Sequence, residues 1–523
     1  MISTTIGAVL ARIRNQLISH RYITASCIVF TVSILQIFYG RWEGDFWQHS
    51  AVVRELSTHP FHPRHPLLMV DKPEPFFSPY LVLVALLARF ASLTPVSALM
   101  AAGVLNILFL LIGVRVFVGS FFEKNKDEVS FYALMLILFL WPRGAWYWSG
   151  FIHFQTLSWV LPYPATFALA MTFLILGLYH EALRAFSLVR LLTTGMLTVV
   201  VVLTHPTTAM IAFIGILAIS VHHYNRQGPR ALWTGLSLLV GAILLACLWP
   251  YYPFIALIRS NNPEFHAQSR VLYTAVYLVW PSLLLLPVAL PVLVAREREN
   301  RYDALMLMLS ASILVYLLGY VTGQYGIGRI ISFIAILMQV IIGAGLAQLE
   351  KQKVASKSRY TLPIILVFVG VIAMNRGNIH ELHKAIWCIQ GSRCSYTEYL
   401  TLGRYVGQYD VVLSDLGTSG MIPAFAGKVI ASSYPVYWID DNERRKQDLI
   451  CFFSRGSSLQ QKSSILRRYG VDYLWIDKNL VQDPHKYRSM GHTVYENNRY
   501  LLIRMRPLAA PVSLLPATEN ASP

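Results

Sequence analysis

Two carboxylates, Glu43 and Asp45, follow the first apolar run of this 523-residue chain in the stretch Arg41-Trp-Glu-Gly-Asp-Phe-Trp-Gln-His49. A carboxylate beside lipid is costly to keep, which makes it a functional candidate by default. An ionised one can take the proton of an attacking hydroxyl. Asp45 is also followed three residues later by Gln48, the spacing of a capping box. Two roles therefore stand side by side for Asp45: cap of a helix over 46–56, or general base held ionised by the helix start. Glu43 is the alternative base. Apolar residues at 46, 52, 53 and 56 give that helix a weak one-sided pattern. This predicts a helix lying in the membrane interface, with Trp47 at the headgroup level and within reach of a substrate.

The next segment carries six prolines between 60 and 79. Proline at that density forbids regular helix and gives a stiff, extended loop. It bears Arg64, His65 and Lys72, cations suited to a phosphate, with Arg offering a bidentate fork, and His62 as a candidate substrate contact. The bland alternative is a solvated loop that meets lipid headgroups. The histidines at 59, 62 and 65 have prolines between them, which is not a helical ligand pattern, and the chain has no CxxC pair or HExxH. No metal site is assigned. Further cations, Arg143, Arg259, Arg270 and Arg329, fall at predicted exoplasmic helix ends, where Arg143 and Arg329 are candidates to hold a lipid-linked phosphate. Arg329 follows a glycine-rich run, Gly323-Gln-Tyr-Gly-Ile-Gly328, which would let backbone come close to a ligand; otherwise it is a snorkelling arginine. His266 and Arg270 sit in the late loop 251–270 and, with His153, are candidate substrate contacts. His153 and His205 are single histidines near helix ends, where a structural role is the commoner one.

The elements that must position these groups are membrane-spanning. Of the residues, 55% are hydrophobic and 14% charged, where a soluble chain has roughly 25% charged. Apolar runs fall near 22–39, 77–93, 95–119, 129–142, 162–182, 190–204, 206–222, 231–250, 271–295, 303–321, 328–348 and 361–374, each of a length suited to a helix in the hydrocarbon core. The aromatic, proline-broken segment 141–162 could hold a re-entrant or thirteenth crossing. The expected fold is a polytopic α-helical membrane protein of about twelve or thirteen transmembrane helices, residues 1–374, with the first exoplasmic loop at 40–76. The net charge of +17 is gathered in short loops at 184–190, 222–230, 296–301 and 351–359. That is the positive-inside pattern, not a nucleic-acid surface, and it places those loops in the cytoplasm. Cys27 and Cys247, in apolar runs, read as inert core residues. Cys388 and Cys394 would suit a local disulfide in an oxidising compartment, or remain two free thiols.

Beyond 375 the long apolar runs stop. Residues 411–415 and 471–477 read as buried strands, 457–469 as a helix stopped by Gly470, and 493–495 with 499–504 as a hairpin. This is a small α/β domain, 375–507, on the exoplasmic side, followed by a Pro/Ala/Ser-rich tail at 508–523.

The acidic Glu43-Gly44-Asp45 after the first helix, the short helices at 190–222 and a terminal exoplasmic domain with Ile422-Pro-Ala-Phe-Ala-Gly-Lys428 and Leu466-Arg-Arg-Tyr-Gly-Val-Asp-Tyr-Leu-Trp-Ile476 resemble bacterial membrane glycosyltransferases of the GT-C superfamily. The resemblance implies a polyprenyl-phosphate sugar as donor, a hexosyl or pentosyl group as cargo, and a glycan, lipid or protein hydroxyl as acceptor. It implies inversion at the anomeric carbon, with Asp45 or Glu43 as base. It admits one cofactor, a divalent metal ion. The bacterial inner membrane is the expected location, with membrane lipids as the remaining partners. Two rival readings are a surface-polysaccharide polymerase or ligase and a lipid-linked glycan transporter or flippase; the transporter would favour internal repeats, and none is visible.

Overall fold

The computed structural model describes residues 20–38, 42, 44–142, 150–260, 263–274, 276–289, 291, 294, 303–355, 396–481 and 483–506. Glu43, Arg143, the apolar run 361–374, Cys388, Cys394 and the tail from 508 lie outside them. The chain forms two compact units. One holds residues 1–43, 75–87 and 97–393; the other holds 44–74, 88–96 and 394–523. The first loop, read from sequence as part of the transmembrane module, thus folds with the C-terminal residues.

The first unit is helical. Seven of its described helices are long and apolar enough to cross a membrane: Arg21–Phe38, Pro95–Phe121, Pro164–Arg184, Pro206–Gln227, Pro229–Ala246, Ala304–Val321 and Tyr325–Lys351. Shorter apolar helices run at Pro79–Phe90, Leu188–Thr204 and Trp280–Ala289. Many of these begin on a proline, whose missing N–H costs nothing in a first turn. At 205–206 and 228–229 this lets helices follow one another with a single residue between them. The helix Ile331–Ala355 lies at the centre, with Lys126–Phe139 along one side and Ala304–Val321 along another. Helix Pro164–Arg184 packs on Leu188–Thr204 and Pro206–Gln227.

One segment departs from expectation, and a second is described only in part. The run 271–295 is not one helix: its described part is a chain of short turns, Val271–Tyr273, Val276–Val279, Trp280–Leu285 and Leu286–Ala289. Pro281 and Pro287 withhold two backbone donors there, and a continuous helix cannot form. Within 141–162 the described residues include the helix Phe154–Val160, at seven residues far short of the roughly 20 a crossing needs. Cys27 and Cys247 are exposed on the outer faces of their segments, not buried in the core.

The second unit is built on a five-stranded sheet: β1 (Val411–Leu413), β2 (Lys428–Val429), β3 (Tyr473–Asp477), β4 (Gly491–Glu496) and β5 (Tyr500–Met505), in the order β2-β1-β3-β5-β4. The β2/β1 and β1/β3 pairs are parallel; β3/β5 and β5/β4 are antiparallel. Both faces are covered, which is why β3 reads as an uninterrupted apolar run, Tyr-Leu-Trp-Ile. Tyr473 and Trp475 join one core with Ala51, Leu67, Leu68, Tyr399 and Ile422. Leu474 and Ile476 join the other with Leu449, Phe452, Ile465 and Leu466, from helices Asn442–Phe453 and Leu459–Tyr469. The second helix opens on a capping box between Ser458 and Gln461 and ends at Gly470, whose φ of 58° is left-handed. At the outer edge of β2, Leu68 bridges Val429, and the Val429 N–H donates to the Leu67 carbonyl at 2.8 Å. The early loop thereby continues the C-terminal sheet.

Candidate active site

Asp45 occupies the N-cap position of helix Phe46–Thr58, with φ −59° and ψ −12°. The capping box expected of Asp45 and Gln48 does not form: the Asp45 side chain makes no capping hydrogen bond, and Gln48 is buried. A helical φ/ψ at the cap turns the carboxylate away from the N2 and N3 donors, which a cap reaches from extended backbone. The carboxylate is exposed. Beside it, the Tyr434 hydroxyl donates to the Gly44 carbonyl at 2.9 Å. Burial, and then the negative charge of Asp45, push the Tyr434 phenol well above its ordinary pKa. Tyr434 is therefore a neutral hydroxyl next to an anion.

The helix that follows is not interfacial. Phe46, Trp47, Gln48, His49, Ser50, Ala51, Val52, Val53, Glu55 and Leu56 are all buried. Trp47, expected at the headgroups and against a substrate, lies instead in the unit's interior. Its ring meets Tyr396 at 5.4 Å and Phe425 at 5.6 Å. The one-sided pattern fails as a guide here because the second covering surface comes from residues near 400 and 425, far along the chain.

The histidines of the proline-rich loop go to separate partners. His65 is wholly buried. Its Nδ1 accepts from the Leu67 and Leu68 N–H groups, at 3.2 and 3.0 Å, and its Nε2 lies 3.1 Å from buried Glu74. Wholly buried, with its ring turned into the loop, His65 presents no surface to a phosphate, contrary to expectation. His59 is 2.9 Å from the Tyr409 hydroxyl, and His62 is exposed. Arg64 is exposed, its guanidinium 4.5 Å above the Tyr409 ring. Lys72 is also exposed, 3.8 Å from Asp440, a surface pairing worth little.

The residue that holds this segment together is one the sequence pattern passes over. Glu55 is 1% exposed. It takes the Lys428 ammonium at 2.7 Å, the Arg64 N–H at 3.0 Å, the Tyr409 hydroxyl at 3.1 Å and Gln408 at 3.2 Å. Lys428 also donates to the carbonyls of His65 and Pro66, at 2.9 and 3.1 Å. Burial alone would raise the Glu55 carboxyl; the Lys428 charge and these hydrogen bonds outweigh it and hold the carboxyl below its ordinary value. Burial brings Lys428 down to about 8, against the pull of Glu55. The positive charge of the Gly-Lys pair at 427–428 in an apolar stretch was the visible signal.

In the first unit, Arg329, His266 and Arg270 do come together. The turn Tyr325–Ile330 packs on the helix Pro263–Arg270. Arg329 lies over the Phe265 ring at 5.1 Å, and Arg270 over Tyr325 at 5.7 Å. Two of the glycines before Arg329 serve this packing: a Cβ on Gly326 would stand 2.5 Å from Phe265, and one on Gly328 2.8 Å from Tyr273, whereas Gly323 has open space around it. His153 is buried before helix Phe154–Val160, with its backbone N–H donating to the Thr156 hydroxyl at 3.3 Å. His205 caps helix Pro206–Gln227 by accepting from the Thr208 N–H.

The sequence matches no protein-family model and no curated protein. The fold, however, is similar to those of solved oligosaccharyltransferases and of ArnT. Against the oligosaccharyltransferase of Archaeoglobus fulgidus in its apo form, the TM-score is 0.53 at 13% identity, over 87% of this chain and 69% of that one. Against the archaeal oligosaccharyltransferase AglB from the same organism, in complex with an inhibitory peptide and a dolichol-phosphate, it is 0.50 at 11% identity, over 88% and 70%. ArnT from Cupriavidus metallidurans in the apo state is similar along nearly its whole length: TM-score 0.50, 12% identity, 96% of this chain and 98% of that one.

Proposed function

We propose that this protein is a membrane glycosyltransferase that moves a sugar from a polyprenyl-phosphate donor to a hydroxyl acceptor at the exoplasmic face of the bacterial inner membrane, with its C-terminal unit periplasmic. The observation that carries the reading is the end-to-end similarity of fold to ArnT. The dolichol-phosphate bound by AglB supports a lipid phosphate as the leaving group. In this reading Asp45 takes the acceptor proton and the hydroxyl oxygen bonds to the anomeric carbon. The carbon–oxygen bond to the phosphate breaks on the opposite side, with inversion, and polyprenyl phosphate leaves. An exposed carboxylate at a helix start suits a base. Arg64 and Lys72, on the same unit as Asp45, supply the positive charge that a departing phosphate requires.

The test supplies synthetic polyprenyl-phosphate sugars to the purified full chain and follows polyprenyl phosphate release. Turnover that Asp45→Asn abolishes is the expected result. Scrambling of lipid-linked sugar in liposomes, with no release from any donor, would replace the enzyme with a transporter. Full activity of Asp45→Asn would move the base to Glu43.

A further inference from the structure

Three imidazoles meet where two helices of the first unit end. Helix Pro164–Arg184 brings His180, and helix Pro206–Gln227 brings His222 and His223. Ring centroids are 5.7 Å apart for His180 and His222, 5.1 Å for His180 and His223, and 5.1 Å for the adjacent pair. One ring nitrogen from each lies within 4.8 Å of the other two. His180 and His223 are buried and His222 is half-buried. The Nε2 of His223, a residue only 2% exposed, has no hydrogen-bond partner. A buried polar atom without a partner is costly to keep, so its survival asks for a reason.

From this geometry we infer a transition-metal site, with His180, His222 and His223 as three imidazole ligands to Zn2+ and a fourth position open to water. Imidazole suits Zn2+ among the common divalent ions. Zn–N bonds of about 2.0–2.1 Å set tetrahedral nitrogens about 3.3 Å apart. Closing from within 4.8 Å to that spacing asks a shift of the His222 ring, the half-buried one of the three. Phe121 stacks on His180 at 4.4 Å and 17° and fixes that ring's plane. Both helices present their C-terminal ends, whose uncovered carbonyls favour a cation. Arg184 and Arg226 oppose one, but Arg184 is engaged by Glu181 at 2.9 Å. The site owes nothing to Asp45 or to sugar transfer. It would clip two helix ends together.

The experiment uses the full chain in detergent, without a histidine tag, stripped by a chelator and titrated with Co2+ alone. The expected result is about one Co2+ per chain with the intense visible bands of a tetrahedral site, displaced by Zn2+ and lost in both His180→Ala and His223→Ala. Zn2+ should raise the Tm of the wild type and leave the Tm of the variants unmoved. No tetrahedral Co2+ in the wild type, or bands that persist in both variants, would overturn the site. If the variants do not fold, X-ray absorption on the Zn2+-loaded wild type decides: three imidazoles support the assignment and any other count removes it.

Discussion

Asp45 and Glu55 stand ten residues apart, and they live opposite lives. Asp45 is exposed at a helix start and makes no capping bond. Glu55 is sealed in the interior, with Lys428, Arg64, Tyr409 and Gln408 all donating to it. Residue type cannot separate the two. Environment does: the buried carboxylate is sealed among donors and is a structural group, while the other stands at the surface.

The contrast can be broken most sharply at Asp45. In the proposed reaction, Asp45→Asn keeps size and shape but removes the base, and turnover should fall about 10²–10⁴-fold with an unchanged Tm. The opposite signature belongs to Lys428→Ala. Leaving Glu55 buried without its cation should cost about 3–5 kcal/mol, read as a lowered Tm of the full chain. Glu55→Leu with Lys428→Met should recover much of that loss, since a buried ion pair replaced by apolar residues of similar size is often neutral. Trp47→Ala, emptying a site between Tyr396 and Phe425, should destabilise by about 3–5 kcal/mol at most, and less where the neighbouring rings collapse inward.

Acid offers a gentler probe. The folded Glu55 carboxyl sits below the ordinary 4.5, so the unfolded chain holds the extra proton. Its contribution is full above that ordinary value and is lost as pH falls through the folded pKa. Tm measured against pH should therefore drop less steeply below 4.5 in Glu55→Gln than in the wild type. The smallest effect is expected at Gly470→Ala: a left-handed φ of 58° makes a Cβ cost about 1–2 kcal/mol.

Much of this architecture was legible from local pattern. Ser458, Gln461 and Gly470 announce their helix, the apolar run at 473–476 announces β3, and the turn around 497 announces the β4–β5 hairpin. Prolines at 164, 206 and 229 mark helix starts. What escaped depends on partners far away in the chain. β2 is two residues long, too short for any period to show. Trp47 looked interfacial because nothing near it in sequence reveals Phe425. Lys428 and Glu55 each look like a stray charge until the fold joins them. The three histidines at 180, 222 and 223 were hidden for the same reason.

The ion pair between Glu55 and Lys428 spans 373 positions. At a synthesis rate of about 5–20 residues per second, the carboxylate waits roughly 20–75 s for its cation to be made. Throughout that interval the helix bearing it has neither its salt partner nor the sheet edge that Leu67 and Leu68 will later extend. The segment carrying Asp45 is thus made long before residue 428 and acquires its final shape only after it. A nascent chain halted before residue 428 should leave Glu55 open to water and the proline-rich loop open to protease.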